Sequence, residues 1–214
     1  EYECNCGNKE TTDFSKEGNT KLKWRPDWCM RWNYEKVDFE PGGKDHFAAG
    51  GSYDTCKHIV KDVFNFDPPS YVIYEWIGIK GGKQFSSSEG IVITINQALE
   101  IYEPEILRFI FAGTRPNTEF AISFDADVLK IYSDFDKLER IYFGKEEISK
   151  EKLPKQKRIY ELSSVGKIPE EIPFQSSFRH LSMLVQVYKG NIKKVLENYE
   201  KDKKTELRAK LAWN

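Results

Sequence analysis

One apolar run near the middle of the chain constrains the fold more than any other feature. Residues 68–79 read PPSYVIYEWIGI, and the stretch KGGKQFSSSEG follows at residues 80–90. A short, nearly continuous apolar run entered through two prolines predicts a strand that is buried on both faces, as in a parallel sheet. IVITI at residues 91–95 predicts a second short strand. Strands that alternate with a glycine loop and with helices indicate an α/β fold.

A helix with a clear apolar stripe precedes this predicted sheet. It is expected to begin at Ser52 or Asp54, because apolar residues then recur at i, i+3, i+4, i+7 and i+8. These residues are Cys56, Ile59, Val60, Val63 and Phe64. The spacing places Cys56 in a core and His58 on the opposite, wetter face.

After residue 95 the pattern becomes helical. Residues 104–113 and 125–143 predict two helices, the first entered through a proline and the second followed by a glycine. Residues 145–173 are charged and contain three prolines, which predicts an irregular connection. Two further helices are predicted at residues 176–189 and 191–204.

The charge balance and the cysteines bound the classes of function. The 214 residues carry 33 Lys and Arg against 34 Asp and Glu, so no global basic field would attract nucleic acid, and anion binding must be local. No apolar run approaches the length of a membrane span. Four irregularly spaced cysteines favour a reducing, cytoplasmic setting over a disulfide framework. A start at Glu1 and an end in TELRAKLAWN, expected to be mid-helix, predict a piece of a longer protein.

Two cysteines near the beginning of the chain suggest metal chemistry. Cys4 and Cys6, followed by Gly7, resemble one knuckle of a zinc ribbon, which needs four ligands. The alternative is a pair of cysteines that bind no metal.

Residues 22–32, LKWRPDWCMRW, repeat tryptophan every fourth position. In a helix Trp24, Trp28 and Trp32 would form one stripe, most simply a core face, although Pro26 argues against a regular helix across the whole run. An exposed tryptophan beside Asp27 would instead bind an amine on an aliphatic stem, since the ring attracts the cation and the carboxylate pairs with it. The residues leave both interpretations open.

Residues 42–54, GGKDHFAAGGSYD, set Asp45 and His46 between two glycine pairs. Gly50 and Gly51 precede the predicted helix, where unpaired backbone N–H groups favour an anion or a carboxylate. The glycine spacing matches neither a Walker A loop nor a dinucleotide fingerprint, and no nucleophile elbow is present. His46 equally fits a structural hydrogen bond.

The stretch at residues 80–90 predicts a loop that holds an anion. Two glycines free its backbone, two lysines supply charge and three serines supply hydroxyl donors. It lies near the carboxyl end of the predicted parallel sheet, where ligands of open α/β sheets bind. The alternative is a surface loop without a ligand.

Taken in order, these motifs resemble one family. LKWRPDWCMRW, VDFEPGGKDHFAAGGSYDT, PPSYVIYEW and KQFSSSEG are similar to successive motifs of class I lysyl-tRNA synthetase, the mostly archaeal form, and EPEILRFIFAGTRPN and DFDKLERIYFG continue the match. The resemblance implies the second half of a Rossmann-type catalytic domain with a parallel sheet, followed by an all-α region. The implied domains are a remnant of a zinc-ribbon-like insertion (1–22), the half Rossmann domain (23–96), a helical stem-contact region (97–145) and the start of an anticodon-binding region (146–214).

The resemblance also implies roles for site residues. The loop at residues 80–90 is similar to the KMSKS loop, which binds the triphosphate of ATP, and Gln84 stands where the family has its first motif lysine. Lys83, one residue earlier, would substitute through its long stem. The residues expected to act in catalysis are Lys83, Gln84, Ser86, Ser87 and Ser88.

Trp24 falls where the family packs an aromatic ring against the substrate lysine, and His46 falls in the same site. Asp27, Asp45 and Tyr74 are further candidates for substrate binding, and Gly50 and Gly51 would border the adenylate. The implied reaction is the activation of lysine with ATP and Mg²⁺, followed by transfer to tRNA-Lys, with Zn²⁺ as a possible structural ion.

One departure from the family pattern is an absence. The His-Ile-Gly-His signature has no counterpart here, so the N-terminal half of the catalytic domain is an expected partner, and this piece alone is expected to be inactive. A split-gene subunit is an alternative, as is a degenerate paralogue that binds tRNA or protein, which Gln84 motivates.

Overall fold

The computed structural model describes residues 1–13, 15–16, 18, 21–82, 93–199 and 202–213. The chain divides into two compact units, residues 1–75 and 76–214. Each unit contains a pair of parallel strands together with helices, so the predicted α/β class is confirmed at that level. No helix of the described part of the chain is long and apolar enough to cross a membrane.

Unit 1, residues 1–75, begins with a small antiparallel hairpin and continues as a β-α-β arrangement. Its strands β3 and β4 pair in parallel, from Phe39 opposite Ser70 to Gly43 opposite Tyr74. Its elements are β1 (Tyr2–Glu3), β2 (Lys9–Glu10), α1 (Trp24–Glu35), β3 (Phe39–Gly43), α2 (Lys44–Phe47), α3 (Ser52–Phe64) and β4 (Ser70–Tyr74).

Helix α1 runs through Pro26, so the expectation that this proline would prevent a regular helix is wrong. Pro26 is the third helical residue, and the N–H groups of the first turn have no intrahelical partner in any case. The first intrahelical bond follows directly, from the Asp27 N–H to the Lys23 carbonyl at 3.0 Å.

The core of unit 1 forms between α1 and α3. The buried residues are Cys29, Trp32, Tyr53, Cys56 and Val60. Burial of Cys56 and exposure of His58 confirm the predicted orientation of α3. Val63 departs from the predicted stripe, because its side chain is 68% exposed.

The apolar run at residues 68–79 is not one strand. It divides into β4 in unit 1 and β5 (Ile77–Ile79) in unit 2, and residues 71–74 are 39–50% exposed. The prediction of burial on both faces is therefore wrong for this chain. The neighbours of β4 within unit 1 are β3 and aromatic rings of α2 and α3, and these cover only part of the strand.

The predicted strand IVITI is wrong over the residues that are described. Ile93 and Thr94 lie outside any strand, Ile95 begins a short helix, and residues 91–92 lie outside the described part of the chain. The physical cause is a capping box, in which the Thr94 side chain accepts the Gln97 N–H and the Gln97 side chain accepts the Thr94 N–H.

Unit 2, residues 76–214, is mainly helical. Its strands β5 and β6 pair in parallel, with Ile77 opposite Phe120 and Ile79 opposite Ile122. The elements after β5 are α4 (Ile95–Ala98), α5 (Pro104–Gly113), β6 (Phe120–Ile122), α6 (Asp127–Tyr142), α7 (Leu153–Ser163), α8 (Phe178–Val187), α9 (Ile192–Leu196) and α10 (Lys203–Leu211).

The predicted helices α5, α6 and α8 are confirmed, while three other expectations for this unit are wrong. Helix α7 lies inside residues 145–173, which were predicted as an irregular connection, because Pro154 sits in a first turn where it does not break the helix. The helix predicted at 191–204 is the shorter α9. Helix α10 ends at Leu211 with Ala212 as its C-cap, so the expectation that the helix runs on beyond TELRAKLAWN is wrong.

A buried ion network lies among the helices of unit 2. The fully buried Arg208 of α10 donates to both carboxylate oxygens of Asp136, at 2.7 and 3.0 Å, and to Glu103 at 2.5 Å. Although burial alone lowers the pKa of Arg208, the bonds and charges of Asp136 and Glu103 raise it above its usual value. Periodicity did not predict this network, because the two acids occupy positions that a sequence pattern assigns to solvent.

Candidate substrate site

The tryptophans of α1 form one stripe that runs from solvent into the core. Trp24 is 52% exposed and stacks on Trp28 with ring centroids 4.8 Å apart, and Trp28 contacts Trp32, which is 1% exposed. The core interpretation is therefore confirmed for Trp32, while Trp24 is exposed, as the amine-binding interpretation requires. Trp32 is a core residue, and Trp24 offers an open aromatic face.

Helix α2 places His46 beside this open end. The His46 ring centroid lies 5.6 Å from that of Trp24 and 5.9 Å from that of Trp28. Residue Gly42, just before α2, has no room for a side chain, because a Cβ there would collide with the Phe47 ring. The family resemblance places Trp24 with His46 but not Trp28, the second ring, although the four-residue spacing contains that signal.

Both candidate segments lie at one end of the parallel strand pair. Gly43 and Tyr74 are opposite one another at the carboxyl ends of β3 and β4, and α2 begins directly after Gly43. The Lys44 ammonium lies 2.6 Å from the Glu75 carboxylate and joins the two strand ends. Ligands of open α/β sheets bind at this edge, so His46 and Tyr74 lie where the fold class expects a site.

The acidic candidates differ in what they bind. Asp27 accepts a 2.9 Å bond from the Arg31 guanidinium one helical turn away, and this bond raises the pKa of Arg31. Among the described residues, none forms a hydrogen bond or ion pair with the Asp45 carboxylate, which is exposed next to His46. The structure thus separates Asp27, which is already paired, from Asp45.

The glycine pair before α3 does not offer free donors. The Gly50 N–H donates to Asp54 at 3.0 Å, and the Gly51 N–H donates to the Ala48 carbonyl at 2.7 Å. The helix start is therefore already occupied, and the carboxylate expected there is that of Asp54. Gly50 adopts a positive φ of 75°, and a Cβ on Gly51 would lie 2.7 Å from two carbonyl oxygens, so the backbone path itself requires these glycines.

The carboxylate of Asp54 lies at the start of α3, where it bonds the Gly50 N–H and Lys57. The bond from Lys57, at 2.6 Å, and then the bond from the Gly50 N–H hold its pKa below the usual range. An incoming anion at this helix start would meet a carboxylate.

The five predicted catalytic residues lie outside the described part of the chain. These are Lys83, Gln84, Ser86, Ser87 and Ser88. The residues just before them are described, and the turn at Gly81 and Gly82 leads from β5 toward this segment.

Cys4 and Cys6 lie in the turn of the first hairpin. The Gly7 N–H donates to the Cys4 carbonyl at 2.8 Å, and the Asn8 N–H and then the Cys4 side chain lower the pKa of Cys6. Within the described residues, no group of three or more His, Cys, Asp or Glu side chains could hold a metal ion. Burial and then the Cys29 thiol beside it raise the pKa of the Cys56 thiol to about 12.

The match to a family model shows the class of this fold: the chain belongs to the class I aminoacyl-tRNA synthetases. Residues 1–166 match the family model described as tRNA synthetases class I (K). The particular relatives are lysine–tRNA ligases.

The chain is 53% identical to the lysine–tRNA ligase of Borreliella burgdorferi over 97% of its length, and 45% identical to that of Treponema pallidum over 100%. It is 51% identical to the lysine–tRNA ligase of the archaeon Thermococcus kodakarensis over 80% of its length. It spans only 33–42% of the length of these three curated relatives.

Proposed function

We propose that this chain is the central and C-terminal part of a class I lysine–tRNA ligase. Such an enzyme uses ATP to activate lysine as lysyl-adenylate and then transfers the lysine to tRNA-Lys. The observation that carries the proposal is the half-exposed Trp24 ring 5.6 Å from His46, in a chain whose relatives are lysine–tRNA ligases.

The aromatic end of α1 binds the substrate lysine. The face of Trp24 covers the aliphatic stem and attracts the ammonium group, and Trp28 supports the ring from behind at 4.8 Å. Asp45 and Tyr74 supply polar groups at the same strand edge, while Asp27 keeps Arg31 in place. His46 borders the stem, and Gly50 and Gly51 border the uncharged part of the adenylate, because the Asp54 carboxylate would repel its phosphate.

ATP is held by the loop that follows β5. Ser86, Ser87 and Ser88 donate hydroxyl hydrogen bonds to the triphosphate, and Lys83 supplies the charge that Gln84 does not. Charge that develops on the phosphates during lysine activation is stabilised by such positioned donors. ATP enters the reaction as its Mg²⁺ complex, so this ion accompanies the substrate.

The remainder of a Rossmann-type catalytic domain is the partner of unit 1. Residues 71–74 of β4 expose apolar side chains. Because β4 belongs to a parallel pair, and parallel sheets are normally covered on both faces, further structure is expected to cover it. The missing half belongs either to the same polypeptide or to a separate subunit. Without it, this piece is expected to be inactive, because positioning supplies much of the barrier reduction.

The domains keep the assignment that the family resemblance implies. Residues 1–22 are the remnant of an insertion, and residues 23–96 carry the half Rossmann domain with its ATP loop. Residues 97–145 are the helical stem-contact region for tRNA-Lys, and residues 146–214 begin the anticodon-binding region. The enzyme works in the cytoplasm.

The Cys4 and Cys6 thiols are one half of a structural zinc site. The hairpin turn supports this assignment, since backbone N–H groups bond the Cys6 thiol and lower its pKa. A tetrahedral site needs two further ligands, which would come from outside the described residues.

The proposal is tested with the complete protein that contains this chain. Lysine-dependent exchange of pyrophosphate into ATP is measured for the wild type, for Trp24→Ala and for Tyr34→Ala. Tyr34 is a matched control, because it lies on the same helix and its side chain is 76% exposed. Loss of one aromatic–cation contact raises KM for lysine about tenfold in Trp24→Ala.

Exchange by the wild type together with a selective lysine defect in Trp24→Ala supports the proposal. A folded wild type that shows no lysine-dependent exchange overturns it. The degenerate paralogue is separated by Gln84→Lys: if the wild type is inactive and this variant gains no activity, while tRNA-Lys still binds, the chain serves as a binding module.

A further inference from the structure

Lys80 lies where the chain leaves β5. Its N–H donates to the Ile122 carbonyl at 3.0 Å, which extends the pairing of β5 with β6 by one bond. Gly81 then adopts a positive φ of 73°, and the Gly82 N–H returns to the Ile79 carbonyl at 2.9 Å. A tight turn therefore follows Lys80 at once, immediately before residue 83.

The Lys80 side chain is held by two carboxylates at the start of α6. Its ammonium lies 3.0 Å from an oxygen of Asp125 and also forms an ion pair with Asp127. The other oxygen of Asp125 accepts the Asp127 N–H at 2.9 Å, so the same carboxylate also bonds the first residue of the helix. The three side chains join the end of β5 to the beginning of α6.

The titration behaviour agrees with this geometry. The bonds from Asp127 and then Asp125 raise the pKa of Lys80, and the Asp127 N–H and then Lys80 lower the pKa of Asp125. One positive and two negative charges sum to −1 at this point. A phosphate that approached Lys80 would have to displace carboxylates and would be repelled by them.

We propose that Lys80 is a positioning residue, which fastens the end of β5 to Asp125 and Asp127 and so sets where the ATP loop begins, without binding phosphate itself. The inference rests on the proposed function. Its consequence is a division between the two lysines of residues 80–90. Lys83 is left as the lysine for the triphosphate, and Lys80 acts through the carboxylates.

The two roles of Lys80 predict opposite patterns in the complete protein. The variants are Lys80→Met, the pair Asp125→Asn with Asp127→Asn, all three changes together, and Lys80→Arg. Pyrophosphate exchange is measured as a function of ATP, which separates KM for ATP from kcat.

If Lys80 positions the loop, Lys80→Met and the double asparagine variant each raise KM for ATP about 3- to 10-fold, because each removes the same ion pairs. The combined variant is then no worse than either, and Lys80→Arg retains wild-type kinetics. If Lys80 binds phosphate, Lys80→Met costs about 10²–10³ in rate, as for one lost donor, while the double asparagine variant keeps or gains activity. That second pattern overturns the proposal, and so do additive effects.

A measurement that needs no activity keeps the two proposals apart. Amide hydrogen exchange at Gly82, whose N–H is bonded to Ile79, is followed in the same variants. Equal acceleration in Lys80→Met and in the double asparagine variant is expected, even if the wild type proves inactive. Unchanged exchange in either variant overturns the positioning role.

Lys210→Met is the matched control. Lys210 forms an exposed ion pair with Glu206 at 2.6 Å in the same unit, away from β5 in sequence. Loss of an ordinary surface pair leaves KM for ATP and exchange at Gly82 unchanged. If Lys210→Met changed KM for ATP and exchange at Gly82 as much as Lys80→Met does, the loss of any surface charge would explain both effects. That result would contradict the proposal.

Discussion

Unit 1 and unit 2 differ in where their most unusual side chains lie, the exposed apolar ones in unit 1 and the buried charged ones in unit 2. Unit 1 leaves large apolar groups at the surface, among them Trp24 and residues 71–74 of β4, and its candidate site lies in this region. Unit 2 buries even its charges, since Arg208 is enclosed with Glu103 and Asp136. Unit 2 also exposes large apolar side chains, among them Val187 and Trp213, so the units differ in two features only: the run of four exposed residues on β4 of unit 1 and the enclosed ion network of unit 2.

The strongest test of this comparison removes the buried charge of unit 2. Arg208→Met leaves two enclosed carboxylates without their partner, so the free energy of unfolding falls by about 3–5 kcal/mol. Urea unfolding followed by circular dichroism measures the change. Arg158→Met is the control, because Arg158 forms an exposed pair with Glu161 at 3.1 Å, and its loss leaves the unfolding midpoint unchanged. Equal effects of the two changes would contradict the comparison.

The exposed strand of unit 1 gives the next largest effect. Val72→Glu places a charge on β4, which is open to solvent in this chain but covered in the proposed complete protein. The complete protein is expected to lose about 1–3 kcal/mol of stability, since an unpaired polar group is then buried. The isolated chain should show no change of its unfolding midpoint. A loss of equal size in both would mean that nothing else covers β4.

Substitutions of the buried Trp32 and the exposed Trp24 test the same contrast within one helix, α1. Trp32→Phe removes the 2.9 Å bond from the indole N–H to Glu40 and leaves a small cavity, so unfolding free energy falls by about 1–2 kcal/mol. Trp24→Phe keeps an exposed ring at the open end of the stripe and should leave stability unchanged. Chemical denaturation of both variants checks the pair. Similar losses would show that the stripe is not graded from solvent to core.

The cysteines of unit 1 give the smallest perturbation. At pH 8, iodoacetamide should modify Cys4 and Cys6 in the folded chain and spare Cys29 and Cys56. Cys6 should react first, because its lowered pKa gives more thiolate at a given pH, whereas the Cys56 pKa of about 12 leaves it protonated. Mass spectrometry of the labelled peptides measures the order. Labelling of Cys56 without denaturant would contradict the described core.

Local sequence predicted the helices whose signals lie within a few residues. The apolar stripe that begins at Cys56 and the proline and glycine around residues 104–113 gave α3 and α5 correctly, because these patterns describe one face and two ends of the same element. The burial of β4 was predicted wrongly. Whether a strand is buried depends on the elements that cover it. An apolar run shows only that the strand could be buried, not that it is.

The site was predicted in part. The resemblance grouped Trp24 with His46, and the structure brings their rings within 5.6 Å. That Asp27 is already paired was beyond the sequence, since Asp27 and Asp45 look equivalent until the bond from Arg31 to Asp27 is seen. Lys80 was likewise counted with the anion-binding residues, because Asp125 and Asp127 lie 45 and 47 positions further along the chain.

By itself, the sequence determined the family, the local helices and the residue types of the candidate site. These follow from motif order and from contacts within one or two helical turns. Only the tertiary structure decided which charges are already paired, which tryptophan faces solvent and how far β4 is covered. The physical reason is that burial and ion pairing depend on distances between residues that are far apart in the chain, and short-range periodicity carries no information about those distances.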